Sequence, residues 1–198
     1  EPQQWEDWVK IVHPDDLARI EEENARCFRG EIEQFEVEYR MRHRDGHWVW
    51  VLSRGRVTKR AADGRPLVMA GVHLDITQSK EAEARLDAII TGAQVGTWEL
   101  DLPNALNRIN AIWAEMIGYS LDELTPMDPA QWRALVHPDD YAPTMHAVER
   151  VAMGELAVYE AEFRMRHKAG HWVWVLSRGQ VVRRAEDGRP LVLAGVHL

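Results

Sequence analysis

Cysteine is nearly missing from this 198-residue chain. The single one, Cys27, excludes an intrachain disulfide, so nothing calls for an oxidising compartment. No apolar run approaches the roughly 18–20 residues that span a bilayer, and no signal-peptide pattern opens the sequence. Positive charge is outweighed: 24 Lys and Arg against 32 Asp and Glu leave a formal charge of −8, which argues against general nucleic-acid binding. Also missing are a nucleophile–base constellation, a phosphate-binding glycine loop and paired carboxylates outside helix starts, so no enzymatic activity is expected. The composition, 45% hydrophobic and 28% charged, is that of a globular protein, and the expectation is a cytoplasmic one without membrane insertion.

What the chain has in abundance is tryptophan, nine in all, and a repeat. HWVWVLSRG occupies 47–55 and again 171–179. Sliding the chain by 124 residues aligns 1–74 with 125–198 without a gap, and about 41 of the 74 pairs are identical. VHPDD, RMRH, DGRPLV and AGVHL all return in order. A period this long marks a duplicated domain and not a solenoid, whose units run about 20–50 residues. Residues 95–124 have no counterpart in the first copy, so the expected organisation is an incomplete unit at 1–77, a linker helix at 78–93 and a complete unit at 94–198.

FEVEYRMRH at 35–43 alternates apolar and charged residues, as a strand with one wet face does. Asp45-Gly46 reads as a two-residue hairpin turn. That register sets Met41 opposite Trp50 and Tyr39 opposite Leu52, so the tryptophans join the inner side and Val49 and Val51 fall outside. The outer valines are then either covered by a linker helix or partner subunit, or are ordinary β-formers on a half-exposed sheet. A third strand is expected at 65–74 and at 189–198. Pro138, Asp139 and Asp140 suit a helix start, with Gly154 as its stop; Asn110 caps a short helix, and Ser120 with Glu123 forms a capping box. The fold class predicted is α+β: a five-stranded antiparallel sheet with helices on one face, present once in full and once as its C-terminal part. Residues 78–93 carry apolar positions at helical spacing and make a stiff connector.

These elements in order, GTWELDL, IGYSLDEL, W-x3-VHPDD, E-x-E-[YF]-R-M-R-H, the G-H-W-V-W-V strand, DG-x-P and AGVHLDIT before a helix, resemble the PAS sensor domains with their PAC-type C-terminal segment. The resemblance covers essentially the whole chain. It implies a sheet cupping a small cavity for a ligand, cofactor or redox sensor. It also implies a homodimer, and output through helices to a covalently linked effector such as a diguanylate cyclase, phosphodiesterase or histidine kinase domain.

Candidate cavity residues in the second unit are Trp98, Trp113, Met116, Trp132 and His146, followed by Phe163, Met165, Trp172, Trp174 and Leu193. The aromatic ones either fill a core or wall a planar ligand such as noncovalent FAD. His146 sits about where some haem-binding PAS domains carry an axial ligand. The flavin-attachment motif G-x-N-C-R-F-L-Q is absent around Cys27, and His13 and His137, each before two aspartates, read better as helix starts than as metal ligands. The cofactor stays undetermined, none being one of the options. The expected function is a sensory and relay module binding a small molecule, against the alternative of a ligand-free dimerisation scaffold. Without two leading strands, the strand at 65–74 is expected to expose an edge and an apolar face, covered either by another chain, domain swapping being one route, or by a missing part that lies in a longer protein.

Overall fold

The computed structural model describes residues 5–198, so the first four residues of the expected first unit lie outside the described part. The chain divides into two compact units, Glu1–Leu86 and Asp87–Leu198, with the boundary inside a helix.

Each repeat begins with a helix that starts at the VHPDD motif. In the first unit α1 (Trp5–Val9) precedes α2 (Pro14–Arg29), whose cap is His13: its Nδ1 accepts from the Asp15 amide at 3.3 Å. The proline supplies a preset φ at the first helical position, and Asp15 and Asp16 face the helix's positive end. Three strands follow, β1 (Gln34–Arg42), β2 (Trp48–Arg60) and β3 (Pro66–Asp75), forming an antiparallel sheet in the order β1-β2-β3. Asp16 ties the helix to the sheet, accepting from the Arg40 amide at 3.0 Å and from Arg40 Nε at 2.9 Å. The connector α3 spans Thr77–Gly92.

The second unit adds what the first lacks. β4 (Gly96–Asp101) and β5 (Leu106–Ile109) lead into α4 (Ala111–Met116), α5 (Leu121–Leu124), α6 (Pro129–Leu135) and α7 (Pro138–Ala152). Asn110 caps α4 through the Trp113 amide, Ser120 and Glu123 form the capping box of α5, and His137 Nδ1 accepts from the Asp139 amide at 3.2 Å. The strands β6 (Tyr159–Arg166), β7 (Trp172–Arg184) and β8 (Pro190–His197) complete an antiparallel sheet in the order β5-β4-β8-β7-β6. The fold is therefore α+β with one five-stranded sheet and one of three strands.

The hairpin register differs from the expected one by a single residue. His43 and His47 pair (N to O, 2.8 Å), so the loop is three residues, Arg44-Asp45-Gly46, and not two. Gly46 closes it at φ +91°, a conformation glycine adopts without a Cβ clash, and Gly170 repeats this at +92°. The extra loop residue sets Met41 opposite Val49, Arg40 opposite Trp50 and Tyr39 opposite Val51. A one-residue slip moves every side chain to the other face. The valines of HWVWVLSRG are thus inside and its tryptophans outside, the reverse of the reading from the turn dipeptide. In the second unit Val175 is 2% exposed and Trp174 is 65% exposed. Two of the outward tryptophans lie beside an arginine, Arg40 over Trp50 at 5.3 Å and Arg164 over Trp174 at 5.4 Å.

Beyond Trp50 the two copies diverge. The Trp50 amide donates to Thr77 Oγ1 at 2.9 Å, and Lys80 of α3 approaches its ring at 5.8 Å. This partial cover makes Trp50 less exposed than Trp174. One edge of the first unit's sheet is β3, where Leu67, Val68, Met69, Val72 and Leu74 are all exposed, Val72 at 64%. The same strand in the second unit, β8, has β4 hydrogen-bonded along that edge, with Trp98 opposite Gly195.

Candidate functional site

The second unit holds a cavity of about 250 Å³. One wall comes from β4, whose alternation places Trp98 and Leu100 on the same face, continued by Asn107 of β5. A second is the stripe Tyr141, Met145 and Val148, spaced four and three residues apart along one face of α7. Trp113 of α4 and Trp132 of α6 close the helical side, while Tyr159 of β6 and His197 of β8 complete the sheet side. Leu102, Ala105 and Pro129, all exposed, form the rim.

The seat of Trp98 is a pair of glycines. A Cβ on Gly179 would stand 2.5 Å from the Trp98 ring and 2.9 Å from that of Tyr159, and one on Gly195 would also strike the indole. The sheet is hollowed at this pair, so that an aromatic side chain lies flat against backbone.

The polar groups of the wall are held neutral. His197 is 4% exposed among the rings of Trp113 (5.4 Å), Phe163 (5.6 Å) and Trp98 (6.3 Å), and burial pushes its imidazole down to about 3. Burial likewise raises the Tyr159 phenol to about 12, although Ser177 Oγ lies 2.8 Å from its hydroxyl. Trp98 Nε1, Trp113 Nε1 and Asn107 Oδ1 are buried without a hydrogen-bond partner, and all three belong to lining residues. Leaving such a group unmet costs about 1–3 kcal/mol each.

Of the ten residues proposed from the sequence, Trp98, Trp113 and Trp132 line this cavity. Phe163, Met165 and Leu193 are buried in the packed core and not in the cavity wall, and Met116 is half-buried with its sulfur against Gly96. Three are placed elsewhere. Trp172 and Trp174 project from the outer face because of the three-residue loop, Trp172 resting against the His137 ring at 4.6 Å. His146 is exposed, because the inward stripe of α7 runs through its neighbours 145 and 148. Sequence reasoning missed that stripe although its four-and-three spacing was legible, missed Tyr159 as a lining residue although the alternation of β6 puts it on the inner face, and missed His197, which faces Ser177 of β7 and is brought inward by the true register. Among the described residues no three His, Cys, Asp or Glu side chains gather as a metal site. Cys27 is buried, with its sulfur 3.9 Å from the Glu33 carbonyl.

The second unit is thus an antiparallel sheet with short helices over a hollow apolar face. Consistent with this, the family described as PAS fold matches residues 2–73 and again 107–197, and the chain belongs to that family. Its relatives include the uncharacterized protein y4lL of Sinorhizobium fredii, 33% identical over 201 residues that make up 96% of this chain and 23% of y4lL. The probable diguanylate cyclase DgcE of Escherichia coli is 26% identical over 174 residues, 81% of this chain and 15% of its own length. The chain thus spans under a quarter of either relative. Among solved structures, a sensory box histidine kinase/response regulator from Burkholderia thailandensis superposes with a TM-score of 0.49 at 24% identity, covering 58% of this chain and 82% of that one. A PAS domain from Colwellia psychrerythraea gives 0.48 at 19%, covering 60% and 95%. Among the described residues no helix is long and apolar enough to cross a membrane.

Proposed function

We propose that the second unit binds a small molecule in its cavity and that occupancy biases the sheet and the adjoining helices, with α3 passing the change between units and an effector domain outside this chain receiving it. The module is regulatory and works in the cytoplasm. The observation that carries the reading is the 250 Å³ cavity walled by three tryptophans, with three unmet polar atoms on its lining residues. A ligand shifts a two-state equilibrium only by its difference in affinity between the states. Trp98 supports such a coupling, because it touches both the cavity and the Gly179–Gly195 seat in β7 and β8. Native mass spectrometry of the purified chain, compared with its mass after denaturation, tests the binding. A retained small mass is expected from the native protein, and an identical bare mass under both conditions, with no response to any added small molecule, would remove the reading.

A second reading is favoured by β3. Its five exposed apolar side chains lie along an edge that, in the other repeat, is paired. An unpaired apolar edge templates strand addition, and we infer that a second copy of the chain covers it, β3 against β3, in a two-fold dimer. Sedimentation velocity is the check. The expected outcome is a dimer that Val72→Lys converts to monomer, and a monomer at all concentrations for the parent chain would contradict it.

A further inference from the structure

We infer that the cavity of the second unit selects an uncharged, mainly apolar molecule of about a dozen non-hydrogen atoms that carries a hydrogen-bond acceptor such as a carbonyl group. The inference rests on the proposal that the cavity holds a ligand, and adds the chemical class.

Size comes first. At the packing density of organic crystals, 250 Å³ holds roughly a dozen non-hydrogen atoms. FAD and haem are several-fold larger than this volume. His146, the residue expected to ligate haem, is exposed and lines no part of the cavity.

Charge comes second. None of the lining residues is Asp, Glu, Lys or Arg. The nearby guanidinium of Arg133 lies over the Tyr141 ring at 4.8 Å, and its residue is exposed, not part of the wall. His197 and Tyr159, the two titratable lining groups with altered acidity, are both kept in their neutral forms by burial. A carboxylate or ammonium entering here would lose its hydration without gaining a counter-charge, which is strongly unfavourable.

Hydrogen bonding comes third. Two of the unmet groups are indole N–H donors, which can only donate, and the third is an amide oxygen, which can only accept. Asn107 already spends its Nδ2 on Met127 Sδ at 3.7 Å. In the described part of this unit these are all the buried side-chain polar atoms left without partners, and each belongs to a residue lining the cavity. A ligand that places an acceptor beside either indole N–H satisfies a donor that a pure hydrocarbon leaves unmet.

Three probes of matched shape separate these terms: 4-ethylbenzamide, 4-ethylbenzoate and 1-ethyl-4-isopropylbenzene, titrated into the full chain by calorimetry. Indole N–H resonances, assigned with Trp98→Phe and Trp113→Phe, are followed by ¹H–¹⁵N NMR. The expected result is that the amide binds at least tenfold more tightly than either of the others and moves the Trp98 or Trp113 N–H signal. Equal binding of all three probes, or preference for the benzoate, would overturn the class while leaving a ligand-binding cavity in place. Amide binding without any shift of those two signals would overturn the assigned donors. No binding of any probe would overturn the inference, and the retained-mass experiment then decides separately whether the cavity is used.

Discussion

Replacing Trp174 by alanine and its neighbour Val175 by alanine reads the register of β7 directly, because the two side chains point to opposite faces. Trp174 is mostly exposed, and its main partner is the Arg164 guanidinium at 5.4 Å. An exposed contact of that kind is worth about 0.5–1 kcal/mol, and some β-propensity is lost as well, so Trp174→Ala should cost no more than about 1.5 kcal/mol. Val175 is buried in the core of the second unit. Removing two methyl groups forfeits about 1.6 kcal/mol of transfer free energy at about 0.8 each, and the cavity left behind raises the total to about 2–3 kcal/mol. Had the turn been two residues long, the order would invert, with about 3–5 kcal/mol for the tryptophan and within about 0.5 kcal/mol for the valine. Urea unfolding, with hydrogen exchange at the β7 amides to read the second unit by itself, measures both. A Trp174→Ala loss larger than that of Val175→Ala would refute the register and with it the inward placement of His197.

Three further outcomes follow from local geometry. Gly179→Ala should destabilise the second unit by about 1–3 kcal/mol, lowering its melting temperature by roughly 5–15 °C, because the new Cβ meets the rigid rings of Trp98 and Tyr159; differential scanning calorimetry checks it. Asp140 is held at about 2, below its ordinary 3.8, chiefly by its hydrogen bond with the Arg164 side chain and also by the Arg164 amide. A depressed carboxylate contributes its stability above the unfolded value and loses it as pH falls through the folded one. The stability gap between wild type and Asp140→Asn should therefore be constant above about pH 4 and close between about 4 and 2, as acid titrations followed by circular dichroism would show. Trp50→Ala should cost its unit more than Trp174→Ala costs the other, since the Lys80 ammonium as well as Arg40 lies over the Trp50 ring; thermal melts of the two variants compare them.

Most of the fold was legible because its signals are local. Alternation in FEVEYRMRH, the caps at Asn110 and Ser120 and the proline–aspartate helix starts each depend on a few adjacent residues, and the repeat doubled every one of them. The helix starts after His13 and His137 were also readable from a proline followed by two aspartates, whereas the capping by the histidine rings was not. The cavity was only half legible. Trp98 follows from the alternation of β4 and Tyr159 from that of β6, but the inward placement of His197 on β8 depends on whether a loop holds two residues or three. Asp-Gly allows both, and in the second copy the loop ends in Ala169-Gly170, which points to the longer form. Tryptophan's bulk suggested the interior, yet here arginine and histidine rings cover it on the outer face.

The account turns on a hollow second unit that holds a small neutral molecule. Its most direct test is calorimetric titration of 4-ethylbenzamide into the wild-type chain and into Val148→Trp, a substitution that fills the space beside Met145 and Trp132. At least a tenfold weaker affinity in the filled variant, with its melting temperature within a few degrees of wild type, is the result expected. An affinity that stays the same after filling would place the ligand elsewhere and contradict the account.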